Sequence, residues 1–218
     1  VERSRGLGDV YKRQIQYSAD KKQILQDVSF KVNKGDFLTL IGPSGAGKST
    51  ILRLIANLIS ANSGDILYQE KNISSLNPVQ YRREVSYCFQ QPSLFGQTVR
   101  DNLIFPYEIR KVDVNDKQIA DLLNQVDLSA DFLDKKITAL SGGEKQRVAL
   151  IRNIIFLPKI LLLDEVTTGL DNQSKDIVHN LIKDVSEKGV TIIQVTHDQS
   201  EIDEASNILR VKKGGIIE

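Results

Sequence analysis

The chain has 218 residues, with 29 Lys and Arg against 28 Asp and Glu, one Cys and no Met. That length suits one domain, or one carrying an inserted lobe, and folding at this size buries about 70–75% of the unfolded chain's surface without help from disulfides or structural metals. Hydrophobic content of 40% excludes a mainly disordered or collagen-like chain, and a net charge of +1 argues against a strongly basic surface, so no direct nucleic-acid contact is expected.

Residues 1–14 are polar and basic, without the apolar run of a secretory signal. They resemble translated adapter sequence found at the start of some metagenomic reading frames, so the fold is expected to occupy residues 15–218. Residues 37–41 read as a buried strand, and the apolar-periodic residues 51–59 as the helix after it, with a Gly-rich turn between them. Asn62-Ser63-Gly64-Asp65 marks a turn, residues 66–68 a short strand and residues 85–89 another. The lone Cys88 lies in an apolar setting and reads as a small core residue in a reducing compartment.

Residues 116–126 have helical spacing at Ile119, Leu122, Leu123 and Val126, and residues 141–156 form a second helix that Pro158 ends. The longest apolar stretch, residues 154–163, is broken by Pro158 and Lys159, well short of the roughly 20 residues that a membrane span needs. A strand at 160–163, a helix at 173–187, a strand at 190–196 and a hairpin at Gly214-Gly215 follow. Such alternation predicts an α/β core with a mainly parallel sheet, built from residues 15–91 and 157–218, with residues 92–156 as a mainly helical lobe.

Gly42-Pro43-Ser44-Gly45-Ala46-Gly47-Lys48-Ser49 fits the phosphate-binding loop G-x-x-x-x-G-K-[ST]. Its glycines let backbone N–H groups wrap phosphates, Lys48 neutralises the β/γ oxygens and Ser49 ligates magnesium. A chance match in a chain this long is about one in a hundred. Leu161-Leu162-Leu163 ends in Asp164 and Glu165. Carboxylates at the end of a buried strand point into the ligand crevice of such a sheet, where Asp164 would hold magnesium and Glu165 would orient or deprotonate water. Ser141-Gly142-Gly143-Glu144 has the spacing of a helix capping box. Capping leaves the paired glycines unexplained, whereas close approach of a helix N-terminus to a phosphate accounts for them.

The run from Leu140 to Arg147, with the phosphate loop before it and Asp164-Glu165 after it, resembles the signature of ABC transporter ATPases from about residue 15 to the end. Glu144 stands where the usual pattern has Gln. This resemblance implies a P-loop NTPase of the ABC ATPase fold, with a RecA-like core, an antiparallel β subdomain and an inserted helical lobe. It implies ATP and magnesium as ligands. The ATP-binding set comprises Tyr17, stacking on adenine just before the first full strand, with Gly42, Pro43, Ser44, Gly45, Ala46, Gly47, Lys48, Ser49 and Thr50. Gln90 resembles the loop glutamine that contacts magnesium and the attacking water, while Gln91 beside it reads as solvent-exposed. His197 resembles the switch histidine that reaches the γ-phosphate, whereas His179 reads as a surface or capping residue. Asp171 falls in the dimer-contact loop, and Ser141, Gly142, Gly143 and Glu144 would contact ATP held by a second copy.

The implied function is the ATP-hydrolysing subunit of a membrane transporter, pairing as a homodimer on a transmembrane subunit at the cytoplasmic face of the membrane. Val85–Cys88 and the residues that follow to Pro106, together with Leu150-Ile151-Arg152-Asn153, resemble the ATP-binding subunits of iron-export ABC transporters. Cassettes for other substrates, and a regulatory ATPase anchored to a membrane complex without pumping, are the alternatives. A DNA-maintenance ATPase needs a coiled coil between phosphate loop and signature, and that stretch lacks heptads.

Overall fold

A computed structural model describes residues 10–19 and 22–217. β1 (Val10–Ala19) and β2 (Lys22–Val32) pair antiparallel, and β3 (Phe37–Ile41) begins a second sheet. After α1 (Lys48–Ile55), the chain returns to the first sheet through β4 (Ser63–Tyr68) and β5 (Lys71–Asn72). α2 (Pro78–Glu84) leads into β6 (Val85–Cys88), the far edge of the second sheet. Three helices follow: α3 (Val99–Glu108), α4 (Asp116–Gln125) and α5 (Gly142–Ile154). β7 (Ile160–Asp164), α6 (Asn172–Glu187), β8 (Thr191–Val195), α7 (Gln199–Glu204), β9 (Ile208–Lys212) and β10 (Gly215–Ile217) complete the order.

The antiparallel sheet runs β2-β1-β4-β5, and the larger one runs β10-β9-β3-β8-β7-β6. Its strands are parallel except for the β9–β10 hairpin. β7 is buried along its whole length because both faces are covered, which is why it reads as an unbroken apolar run. Ile160 and Leu162 pack with α1 and the antiparallel sheet, while Leu161 and Leu163 pack with α5 and α6. Fully burying each such side chain stabilises the fold by about 1.5–3 kcal/mol. The helical segment joins this second cluster through Val99, Leu103, Tyr107, Ile119 and Leu123, so it shares its apolar packing with one face of the parallel sheet. No helix among the described residues is long and apolar enough to cross a membrane.

Several expectations need correction. β1 starts at Val10, so the strand reaches into the segment 1–14 that the sequence reading left outside the fold, and residues 10–13 pair with β4. Residues 1–9 of that segment lie outside the described residues. Tyr17 sits within β1, opposite Leu25, rather than before the first strand. α1 begins inside the phosphate loop and stops at Ile55, where Asn57 takes the left-handed conformation that ends helices (φ 53°). α2, α3 and α7 were not anticipated: α3 contains Pro106, and α2 and α7 span only 7 and 6 residues, too short to show a clear period.

Candidate active site

The turn from β3 to α1 depends on glycine at two places. Gly42 has φ 146°, and a Cβ there would fall 2.0 Å from the Val211 carbonyl oxygen of β9. Gly47 has φ 96°, and a Cβ would lie 2.5 Å from Leu25 Cδ2. Only glycine satisfies both the conformation and the close approach. This packing curls the loop so that Lys48 opens α1 while its ammonium turns back, donating to the Gly42 carbonyl at 2.9 Å and the Pro43 carbonyl at 3.1 Å. Lys48 is buried, and that burial lowers its pKa against the opposing pull of Glu165 and Asp164.

β7 delivers the carboxylates. Asp164 accepts from Ser49 Oγ at 2.7 Å and from the Tyr87 hydroxyl of β6 at 2.5 Å, so its two oxygens are fixed from different elements, one from α1 and one from β6. Burial, then the Asp164 contact, raises the Tyr87 pKa, so its proton stays available for this bond. Glu165 follows with φ 51°, a left-handed conformation for a non-glycine residue, pinned by its N–H to Val195 O (3.0 Å) and by Thr168 N–H to its own carbonyl (3.1 Å). Such strain costs about 1–3 kcal/mol and recurs where geometry serves a site. Gln90 Nε2 donates to Glu165 Oε2 at 2.9 Å. His197 Nε2 lies 3.3 Å from Glu165 Oε1 and 3.0 Å from Lys48 Nζ.

These groups line one open cleft of about 940 Å³, bounded by residues 43–50, Gln90, Glu165 and His197, with Gln23, Ile24, Lys213 and Gly214 opposite. Lys48 can neutralise an anion there, a chain of loop N–H groups can wrap it, and Glu165 stands ready to take a proton. Among the described residues no group of three or more His, Cys, Asp and Glu is clustered to hold a metal. Ser49 and Asp164 are hard oxygen donors of the kind that bind magnesium together with phosphate oxygens.

Other expected site residues lie elsewhere. Tyr17 is half-buried and packs on the core under the antiparallel sheet, and it does not line the cleft. Ser141 and Gly142 are exposed and also lie off the cleft. Ser141 and Glu144 form both bonds of the capping box, and Lys135 Nζ reaches Glu144 at 3.0 Å. The two glycines separate: a Cβ at Gly143 would meet Ser174 Oγ at 2.7 Å, whereas Gly142 faces open space. Asp171 caps α6, accepting from Ser174 N and Oγ at 2.8 Å each. His179 is half-buried and bonded to Glu201 at 2.8 Å. Cys88 is buried, which pushes its thiol up to about 12, in keeping with an inert core residue. Sequence reading missed Tyr87, Thr167 and Glu201, which no local motif marks.

A family model described as ABC transporter matches residues 25–168. The chain belongs to the ABC transporter ATP-binding family. ABC ATP-binding domains are ATPases that bind ATP. The chain is 44% identical over 91% of its length to the Escherichia coli K12 protein named "Probable iron export ATP-binding protein FetA", covering 88% of that protein. It is 37% identical over 94% of its length to a spermidine/putrescine import ATP-binding protein, PotA, of Mycoplasma capricolum, but spans only 59% of it. Among solved structures it resembles a bacterial Atm1-family ABC exporter with ATP bound, with a TM-score of 0.88 and 27% identity, covering 97% of this chain and 38% of the exporter chain. The ABC ATPase fold expected from the sequence is therefore present, with a parallel sheet beside an antiparallel one.

Proposed function

We propose that the chain is the ATP-hydrolysing subunit of an ABC membrane transporter, in which two copies close over ATP and hydrolysis reopens them. The observation that carries this reading is the convergence of Gln90 and His197 on Glu165, with Lys48 joined to His197, inside the phosphate-loop cleft. In this reading the loop N–H groups and Lys48 hold the triphosphate. Glu165, held by Gln90, takes a proton from water as the water oxygen attacks the γ-phosphorus, and the bond to the β,γ-bridging oxygen breaks with its electron pair leaving on ADP. His197 is placed to contact the γ-phosphate. Ser49 and Asp164, with Gln90 nearby, would hold magnesium, which when bound neutralises phosphate oxygens.

Ser141, Gly142, Gly143 and Glu144 lie off the chain's own cleft, and the open space at Gly142 suits contact with ATP held by a second copy, with Asp171 nearby through Ser174, which lies against Gly143. Tyr17 is assigned to adenine by resemblance alone. Phe89, just before Gln90, and Phe95, Phe105 and Ile109 after it stay exposed and offer apolar surface to a transmembrane subunit, which would hold the chain at the cytoplasmic side of the membrane. The likeness to FetA over most of both chains supports iron as the exported substrate. In the assembled transporter, Glu165→Gln is expected to bind ATP, trap the closed pair and lose at least about 100-fold in turnover. Normal turnover in that variant would remove Glu165 from the role of base.

A further inference from the structure

A second polar cluster lies behind the cleft, centred on a carboxylate that no motif marks. Glu201 belongs to α7, and its side chain is only 8% exposed. Oε1 accepts from Thr167 Oγ1 at 2.6 Å and lies 2.8 Å from His179 Nε2 on α6. Thr167 and Thr196 are both buried. A carboxylate this enclosed is costly unless donors meet it, so the two bonds form one unit rather than a dispensable surface pair.

The placement of the donors matters more than their number. Thr167 lies two residues after Glu165, on the turn that leaves β7, and Thr196 directly precedes His197 at the end of β8. Glu201 itself sits on the helix that follows His197, whose cap residue Asp198 donates its N–H to Thr196 Oγ1 at 3.0 Å, so the bond from Thr167 to this one carboxylate ties together the two segments that carry the groups meeting across the cleft. α6 holds the same region a second time, because Lys175 Nζ pairs with Asp198 at 2.5 Å and Asp198 caps α7 through Ser200 N and Oγ.

We infer that Glu201 is a positioning residue for ATP hydrolysis: by bonding Thr167 from α7, the helix that follows His197, it sets the spacing between Glu165 and His197. This inference rests on the reading of Glu165 and His197 given above. Glu201 touches no reacting atom, so its effect falls on turnover rather than on ATP binding, where a misplacement of about 1 Å costs up to 100-fold. A brace that only held α7 in place would instead lower thermal stability and ATP affinity along with turnover.

The test measures ATP turnover, ATP dissociation constant and melting temperature of the full chain in four variants. Thr167→Val removes one hydroxyl without changing side-chain shape, so it cuts the tie to the Glu165 segment without disturbing the fold. It is expected to lower kcat about 5- to 20-fold while moving the ATP dissociation constant less than about twofold, and Thr167→Ser restores turnover. Glu201→Gln lowers kcat similarly, and adding Thr167→Val to it costs no more than about twofold further, because both cut the same link. Glu165→Gln is the control. Normal turnover in Thr167→Val beside an inactive Glu165→Gln overturns this inference alone, and an active Glu165→Gln overturns it together with the reading beneath it. A loss in Thr167→Val that Ser does not rescue, or that ATP affinity follows in proportion, also overturns it.

Discussion

Lys48 and His197, 149 residues apart in sequence, meet with Nζ 3.0 Å from Nε2. An ammonium only donates, so the imidazole accepts at Nε2 and carries its proton on Nδ1. Glu165 Oε1 stands 3.3 Å from that same nitrogen and needs a proton there instead. Nε2 therefore serves Lys48 or Glu165, and the two claims exclude each other. Drawing Lys48 onto a phosphate would release His197 to turn its N–H toward an anionic oxygen.

Removing the imidazole should separate binding from turnover. In His197→Ala, Lys48 keeps its Gly42 and Pro43 acceptors, so ATP affinity is expected to change less than about threefold while kcat falls about 100- to 1,000-fold, the range for losing one oriented donor in the transition state. Nucleotide titration beside steady-state ATPase assays checks this. A parallel loss of affinity would show that His197 serves mainly to hold Lys48.

Legibility in the sequence followed how local each constraint was. Gly42 to Ser49 and Asp164-Glu165 were readable because phosphate chemistry dictates both residue type and spacing over a few positions. β7 was readable because burial on both faces leaves only apolar residues. Tyr87 and Asp164 lie 77 residues apart, and Thr167 and Glu201 are separated by 34, so strand order and helix docking create those contacts and no window along the chain reveals them. Pro106 hid α3, because its missing N–H removes one intrahelical hydrogen bond, while Thr98 and Asp101 secure the start of the helix with a capping box.

The adjacent glycines of α5 should respond in opposite directions. At Gly142 an added Cβ meets nothing within the chain, so Gly142→Ala is expected to raise stability by about 0.4–1 kcal/mol through the unfolded state. At Gly143 the same methyl displaces Ser174 Oγ from its bond with Asp171, an overpacking cost of about 1–3 kcal/mol. Melting curves of the two variants distinguish them, and Ser174→Ala should recover part of the loss in Gly143→Ala. If two copies close over ATP as proposed, Gly142→Ala also slows turnover despite its higher stability.

Asn102 provides a sharper stability test. It is fully buried, donates Nδ2 to the carbonyls of Phe95 and Thr98 (2.8 and 3.0 Å), and accepts at Oδ1 from Phe95 N and Arg152 (3.1 and 3.0 Å). Asn102→Asp turns the two donated bonds into contacts between an anionic oxygen and carbonyl oxygens, which the Arg152 contact only partly offsets. A loss of about 2–4 kcal/mol in urea unfolding is expected, as for other buried polar groups that lose their partners. A change below about 0.5 kcal/mol would show that the segment after Gln90 reorganises freely.

His179 makes stability depend on pH with a defined sign. Its hydrogen bond to Glu201 raises its pKa above 6.5, burial opposes that shift, and the charges of Glu201, Glu204 and Asp198 add to it. Glu201 is held low in turn: burial alone would raise it, but the bonds from His179 and Thr167 help to outweigh burial. A histidine whose folded-state pKa exceeds its unfolded value contributes stability that is complete below pH 6.5 and disappears as pH rises through the folded-state value. His179→Gln retains a side-chain donor but cannot titrate. The stability difference between the parent chain and His179→Gln, followed by urea unfolding from about pH 6 to about pH 8.5, should therefore be greatest at the acid end and shrink as pH rises. A difference that grows with pH would mean that His179 is bound to Glu201 as the neutral imidazole throughout.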